Sequence, residues 1–330
     1  MLEMSGGLIE KMRYHYEAYT RYKITLHVIG KDPNSREIRI IRDEVKDTIL
    51  AKTLLAERNA DGEIPMDPYD KWRGAHWVLS ILADLGYPRR DKELFPLREQ
   101  IYAWLFSKDH EKAIAERVVD GRHRWHASQE GNALYYLLEL GLEDERIDEL
   151  VRRLLQWQWP DGGWNCDMKP TATNSSFLET LIPLRGLALH ARITGNEESR
   201  GAAVRAAEIF LKRHLFKRQR DGRIIKPDFT DLHYPCYWHY DILFALKVLS
   251  EAGFIADERC ADALDLLETK QLPDGGFPAQ GKFYRVGKNP DGGASIVNWG
   301  GTSKKKMNEF VTADAFHVLK ASGRLNIHHL

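Results

Sequence analysis

The chain predicts an all-α protein, an (α/α)6 toroid of helical hairpin repeats with inner and outer helix rings, and three observations carry that reading. A turn signal recurs at Asp61-Gly62, Asp120-Gly121, Asp161-Gly162-Gly163, Asp221-Gly222 and Asp274-Gly275-Gly276. The aspartates are 59, 41, 60 and 53 residues apart, and self-similarity on that scale marks a repeat architecture. A glycine then closes an apolar helix at Gly86, Gly141, Gly195, Gly253 and Gly323, as glycines do at helix ends. Lastly, helices of two chemistries alternate along the chain.

Helices before each turn are one-faced. Ile147, Leu150, Val151, Leu154 and Leu155 follow the i, i+3, i+4, i+7, i+8 pattern, while Asp148, Glu149, Arg152 and Arg153 take the other face, so one side is wet. After the turn, runs such as Ile242-Leu243-Phe244-Ala245-Leu246 and Ala133-Leu134-Tyr135-Tyr136-Leu137-Leu138 are apolar nearly all round, which predicts burial on every side. Alternation of the two gives an outer ring around an inner one. Helices starting near Leu8 and Ser35 supply a further pair that closes the ring, because an open stack leaves an apolar edge exposed. The segment from Phe277 to Gly301 is long for a loop and reads as an excursion over one mouth of the barrel. No linker divides the chain, so residues 1–330 are expected to form one toroid domain.

Composition narrows the partners. Lys plus Arg equals Asp plus Glu at 48 each, so no net field gathers nucleic acid. No apolar run has the length of a membrane span or a signal peptide. Three cysteines, Cys166, Cys236 and Cys260, suit a reducing compartment better than a disulfide framework. A cytoplasmic location is expected, with peripheral membrane contact left open.

The segment Leu154-Leu155-Gln156-Trp157-Gln158-Trp159-Pro160-Asp161-Gly162-Gly163-Trp164 resembles the QW repeat of squalene-hopene and oxidosqualene cyclases, and Leu266 to Phe277 is a second copy. On these residues the chain resembles the superfamily of terpenoid cyclases, protein prenyltransferases and squalene-oxidase-type repeat proteins. The resemblance runs in pattern from Lys52 to Gly323. It implies an α/α barrel whose relatives cyclise polyprenes or transfer prenyl groups to protein cysteines. The repeat itself is a structural device, in which the Gln bonds the backbone where the next helix begins and the Trp packs between units. Two family acid motifs, Asp-x-Asp-Asp and Asp-Asp-x-x-Asp, are absent from this sequence. In the prenyltransferases zinc is held by an Asp-x-Cys and by a His shortly before a Cys-Tyr. Here His233-Tyr234-Pro235-Cys236-Tyr237 looks like the second element, and Cys166-Asp167 offers the first in reverse order. The resemblance therefore implies a zinc site at Cys166, Asp167, His233 and Cys236, although their spacing matches no strong zinc signature.

Inner helices that run the same way start at one mouth, where polar and aromatic residues cluster. His233 and His239 are candidate general acid/base groups, with Asp241 or Asp167 orienting them. Pro235 suits a first helical position, which would put His239 in the first turn of the helix that follows. Capping and satisfaction of buried backbone groups is the competing role for both histidines. Glu130, Glu179 and Asp241 open inner helices and are candidate proton donors, or else simply favour the helix dipole. Trp72, His76, Trp125, His126, Gln129, Asn132, Tyr234, Tyr237, Trp238, Tyr240 and Trp299 form the candidate substrate wall, since aromatic faces stabilise a developing carbocation or stack on sugars.

Three functions follow. The first is a terpenoid cyclase-like or prenyltransferase-like enzyme that takes an apolar isoprenoid-type substrate into a central aromatic-lined cavity. The second is a carbohydrate-active α/α barrel resembling polysaccharide lyases, for which an open groove with Arg or Lys facing uronate carboxylates would speak. The third is a lipid-binding or partner-binding toroid without turnover.

Overall fold

A computed structural model describes residues 6–287 and 293–326. In chain order its α-helices are α1 Gly6–Arg13, α2 Ala18–Lys23, α3 Arg36–Asp47, α4 Ile49–Leu54, α5 Ala75–Leu85, α6 Phe95–Leu105 and α7 Lys108–Glu116. There follow α8 Ala127–Leu140, α9 Ile147–Trp157, α10 Phe177–Thr194, α11 Glu197–Leu211, α12 Ile242–Glu251, α13 Ala261–Glu268 and α14 Glu309–Ala321. A single π-helical turn, Ile24–Val28, prolongs α2.

The inner ring closes. Helix α5 packs on α8, α8 on α10, α10 on α12, α12 on α14, and α14 returns to α2, which itself touches α5. The outer helices lean on this ring: α3 on α2, α6 on α5, α9 on α8, α11 on α10 and α13 on α12. The all-α toroid expected from the repeats is the fold, and contact between the first and last inner helices rules out an open stack.

The first hairpin differs from its expectation. Helices do start near Leu8 and Ser35, but the inner member of that unit is α2 with its π turn, lying between them. No Asp-Gly turn precedes Ala18 and Lys23 interrupts the apolar run, so the signals that flagged the other inner helices are missing there.

The two helix chemistries follow their patterns with one exception, Arg153, which was expected on the wet face of α9 but is buried because its guanidinium bonds Leu105 O at 2.8 Å and faces the buried Glu130. In α9, Ile147, Leu150, Val151, Leu154 and Trp157 are buried and Asp148 and Arg152 are exposed. In α12 every residue from Ile242 to Leu249 is buried. The turns are tied by side chains: Gln158 Nε2 donates to Gly162 O at 2.8 Å and to Ala202 O of α11 at 2.9 Å. Trp164, fully buried, donates its indole N–H to Leu154 O at 3.0 Å.

Helices α8 and α10 approach most intimately through glycines. A Cβ added at Gly131 would lie 2.6 Å from Pro183 Cα, and one at Gly186 would lie 2.6 Å from Gly131 O. Backbone occupies the space a methyl group would need, and backbone cannot step aside as a side-chain tip can. Gly186→Ala is therefore expected to destabilise the protein by about 1–3 kcal/mol. Gly201→Ala, whose nearest neighbour is an Arg205 guanidinium nitrogen at 3.4 Å, should be neutral or stabilising because Ala is the better helix former. Urea unfolding of both variants checks the pair, and equal stability would contradict the packing argument.

Candidate functional site

At the mouth where the inner helices start, the described parts of the Phe277–Gly301 excursion, residues 277–287 and 293–301, cover one side by packing on the residues that lead into α5, α12 and α14. Trp72 donates its indole N–H to Phe283 O at 2.9 Å, and the Phe283 ring stacks on His239 at 3.7 Å. Trp72 also stacks on Tyr237 at 4.0 Å. Trp299 is buried and bonded to Ser295 Oγ at 3.2 Å. Tyr240 sits among Phe177, Phe210 and Phe229 with its hydroxyl on Leu215 O at 2.5 Å, so it is a core residue. Trp238 lies beneath the Lys71 ammonium, 4.9 Å from its ring centre, and stacks on His239 at 4.7 Å. These aromatics pack against one another instead of lining a hollow.

The histidine pair lies on this covered side. Asp241 is the N-cap of α12: its Oδ1 accepts Phe244 N–H at 2.7 Å and its Oδ2 accepts His233 N–H at 2.8 Å. His233 Nδ1 stands 2.6 Å from Asp241 Oδ2 but out of line for a hydrogen bond, and its Nε2 is buried without a partner. Because α12 begins at Ile242, His239 belongs to the turn before the helix and not to its first turn. Tyr237, with φ of 48°, interrupts any helix that might start at Pro235. Burial, followed by the charges of His233 and Lys71, drives His239 down to about 3.

His76 and Asn132 also form structure. Asn132 donates its amide to His76 Nε2 at 3.2 Å, which leaves His76 Nδ1 against the Tyr136 hydroxyl at 3.2 Å. Ser80 completes the network by donating to Asn132 Oδ1 at 3.1 Å. Glu130 is wholly buried between His110 Nε2 at 3.0 Å and the Arg153 guanidinium at 3.5 Å.

On the other side of this mouth, at the starts of α8 and α10, His126, Cys166 and Glu179 come together, with Trp125 and Gln129 buried beside them. His126 Nδ1 is 3.4 Å from Glu179 Oε1, and Ser128 N–H donates to Glu179 Oε2 at 3.0 Å. Burial and then the Glu179 carboxylate push the Cys166 thiol up to about 12. The four residues Cys166, Asp167, His233 and Cys236 do not gather. Asp167 is exposed and accepts Lys169 N–H at 3.0 Å, while His233 and Cys236 belong to the α12 turn. Among the described residues the one trio of metal-ligand types within reach of a shared ion is His126, Cys166 and Glu179.

Midway along the axis, charged side chains from five inner helices meet. Lys23 of α2 reaches Asp84 of α5 and Asp314 of α14, each at 2.8 Å. Lys247 of α12 bonds Asp84 and lies 3.2 Å from Asp314. Arg185 of α10 grips Glu251 at 2.6 and 2.8 Å and approaches Asp84 at 3.7 Å. Tyr234, expected in the substrate wall, donates its hydroxyl to Asp84 at 3.0 Å. Burial alone would raise the Asp84 carboxyl, but Lys23, Lys247 and Arg185 outweigh it and hold the acid well below its usual range. The same contest, settled by Asp314 and Asp84, holds Lys247 above its usual range.

Beyond this layer, at the carboxyl ends of the inner helices, opens a cavity of about 640 Å³. None of the candidate catalytic or substrate-wall residues named from the sequence lines it. Its wall carries eight Lys or Arg against five Asp or Glu, with Tyr22, Tyr135, Leu26, Leu189, Ile193 and Val248 as apolar surface. Arg89 donates to Glu139 O at 2.7 Å and Arg192 to Glu251 O at 2.8 Å, capping two inner helices. The Arg90 guanidinium has no partner among the described residues. His27 lines the cavity, stacked on His317 at 4.3 Å, and burial together with His317 and Lys247 holds it well below its usual value. The signal for this site was present: one charge stands alone in each of Ile81-Leu82-Ala83-Asp84-Leu85, Leu184-Arg185-Gly186-Leu187 and Phe244-Ala245-Leu246-Lys247-Val248, and lone charges on buried helices are rarely idle.

No family model and no curated protein matches the sequence. Among solved structures, the chain is similar to an arginine-to-alanine variant of the type II terpene cyclase MstE from Scytonema, in complex with its substrate geranylgeranyl dihydroxybenzoate. Identity is 16%, the match covers 86% of this chain and 99% of that one, and the TM-score is 0.27. No helix among the described residues is long and apolar enough to cross a membrane.

Two outcomes are expected from these charges. Lys247→Met removes one partner from a buried network and should cost up to about 3–5 kcal/mol in urea unfolding; a loss below about 1 kcal/mol, typical of exposed pairs, would mean the network is solvated. Second, His27, His76, His239 and His317 are all held below the ordinary histidine value. The unfolded chain therefore binds more protons than the native one below about pH 6.5, and stability falls as pH drops through that point. The thermal midpoint should be level from pH 8 to 7 and decline from about 6.5 downward, less steeply in His317→Gln. A flat profile down to pH 5 would contradict this.

Proposed function

We propose that the chain forms one toroid domain and is a terpenoid cyclase-like or prenyltransferase-like enzyme whose substrate is an isoprenoid with an anionic head, taken up at the carboxyl ends of the inner helices. The observation that carries this is the half-apolar cavity of about 640 Å³ with its surplus of guanidinium and ammonium groups. Its volume falls in the roughly 300–1,000 Å³ span of small-molecule sites. A wholly apolar polyene would leave the Arg90 guanidinium and the unused N–H groups of Arg192 without partners, so an amphiphile fits better than the purely apolar ligand expected from the aromatic residues.

Chemistry at this site favours ionisation over protonation. Asp84, the acid beneath the cavity, is held ionised by two lysines and has no proton to give near neutral pH. Departure of a diphosphate breaks its C–O bond and leaves the electron pair on the leaving group, whose charge Arg90 and Arg192 can meet. The allylic cation then loses a proton to a base. Neutral His27 serves, because a carbocation's neighbouring proton needs only a weak one.

One observation favours a second reading. The cavity is open and polar, with arginines in its wall, which is what a uronate-binding carbohydrate enzyme would also present. Isothermal titration separates them using farnesyl diphosphate, farnesol, inorganic diphosphate and a trigalacturonate. Farnesyl diphosphate should bind most tightly, and Arg90→Ala should weaken it by about 10-fold or more, the value of a charge-assisted hydrogen bond. Binding of trigalacturonate with none of farnesyl diphosphate would overturn the isoprenoid reading, as would failure of all four.

A further inference from the structure

We infer that His126, Cys166 and Glu179 form a zinc site at the starts of α8 and α10, at the mouth opposite the substrate cavity and independent of it. The three side chains come from three segments: the N-cap of α8, the loop after the Asp161-Gly162-Gly163 turn, and the first turn of α10. His Nδ1, Cys Sγ and a carboxylate oxygen all lie within 4.8 Å of one another. The His126 to Glu179 separation of 3.4 Å already matches the edge of a tetrahedron with metal–ligand bonds of about 2.0–2.3 Å. Closing the rest needs side-chain adjustment of about an ångström or less.

The surroundings are those of a ligand set. Glu179 spends Oε2 on the Ser128 amide, which orients the carboxylate and leaves Oε1 toward His126. The His126 backbone is fixed at the start of α8, where its carbonyl accepts the Gln129 backbone N–H at 2.8 Å. Gln129 is 7% exposed and Trp125 9%, yet Gln129 Oε1 and Trp125 Nε1 are buried without partners. Buried polar groups are nearly always satisfied, so an acceptor and a donor left open here point to a bound group.

The donor set selects the metal. One imidazole, one thiolate and one carboxylate suit zinc, whereas magnesium and calcium take oxygen alone. A thiolate and a carboxylate around a dication leave no net charge. Three protein ligands leave a fourth position free, as in zinc sites that bind water or substrate. The His126 side chain is 36% exposed and Cys166 is partly exposed, which gives the ion a way in. The zinc expected from the sequence resemblance involved Cys166 with Asp167, His233 and Cys236; only the cysteine is shared.

Metal analysis of the untagged full chain, loaded with Zn2+ and desalted, tests this. About one equivalent should remain. Co2+ in its place should give the near-ultraviolet charge-transfer band of a cobalt thiolate. Cys166→Ser should abolish that band, while Cys236→Ser and Cys260→Ser leave it intact. His126→Ala and Glu179→Gln should weaken zinc binding at least about 100-fold, the upper end of what loss of even an outer partner costs. His126 is exposed enough for its variant to fold, as circular dichroism will show. Less than about a tenth of an equivalent of zinc in the parent, a band that survives Cys166→Ser, or zinc binding unchanged in a folded His126→Ala would each overturn the site. Farnesyl diphosphate titration of Cys166→Ser keeps the two proposals apart, since the cavity should bind as in the parent.

Discussion

Everything in this toroid is arranged around a buried layer of opposite charges. Lys23, Asp84, Lys247 and Asp314 alternate around the axis, with Arg185 and Glu251 beside them. Three cations face three anions, so the layer is neutral as a whole, and each member has a partner on another inner helix. Burying such groups is costly, and packed hydrophobic side chains of equal size would often be as stable or more so. What the charges add is registration. A lysine on α2 that must meet aspartates on α5 and α14 ties the first inner helix to the last, and that is the contact which closes the ring.

The same layer partitions the barrel. A ring of six inner helices need not be hollow throughout, and here mid-height is filled by ion pairs and by Tyr234 bonded to Asp84. Two compartments result, each with its own chemistry. One end holds packed aromatics, Phe283 among them, and the cluster of His126, Cys166 and Glu179. The other holds the roomy basic cavity. The two ends have no side chain in common, which is why the zinc proposal and the substrate proposal stand separately.

How much of this could be read from residues alone follows from what a pattern encodes. Turn glycines and helix faces report local conformation, so α5, α8, α10, α12 and α14 could be placed between their Asp-Gly turns and closing glycines. Helix α2 was missed because its neighbours supply neither mark. Site residues were chosen for crowding of His, Tyr and Trp near helix starts, but crowding does not reveal what the side chains touch. Trp72, Tyr237 and His239 meet one another and Phe283; Tyr240 meets three phenylalanines. The cavity residues were overlooked for the opposite reason. Each inner helix carries a single charge at that level, and an average over the helix reads as apolar. His126 reads as part of the substrate wall and Glu179 as a proton donor, and only three dimensions bring Cys166 to both, from 40 residues away in the one case and 13 in the other.

The sign of the cavity's field decides what kind of head group it selects. Carboxyl ends of helices carry about half a negative charge each, so the inner ring contributes about three negative charges at this end. The wall's surplus of basic over acidic side chains is also three. To first order the two cancel, and the cavity is no diffuse anion trap. Arg89 and Arg192 confirm the balance locally, because each spends one N–H on a terminal carbonyl. In the proposed reading discrimination comes from direction: the unused N–H groups of Arg90 and Arg192 would meet an oxygen-rich head at fixed angles. Such recognition depends less on salt than long-range steering does, and it rewards a compact, multiply charged group over a single carboxylate. That preference is the physical reason to place a diphosphate ahead of a uronate.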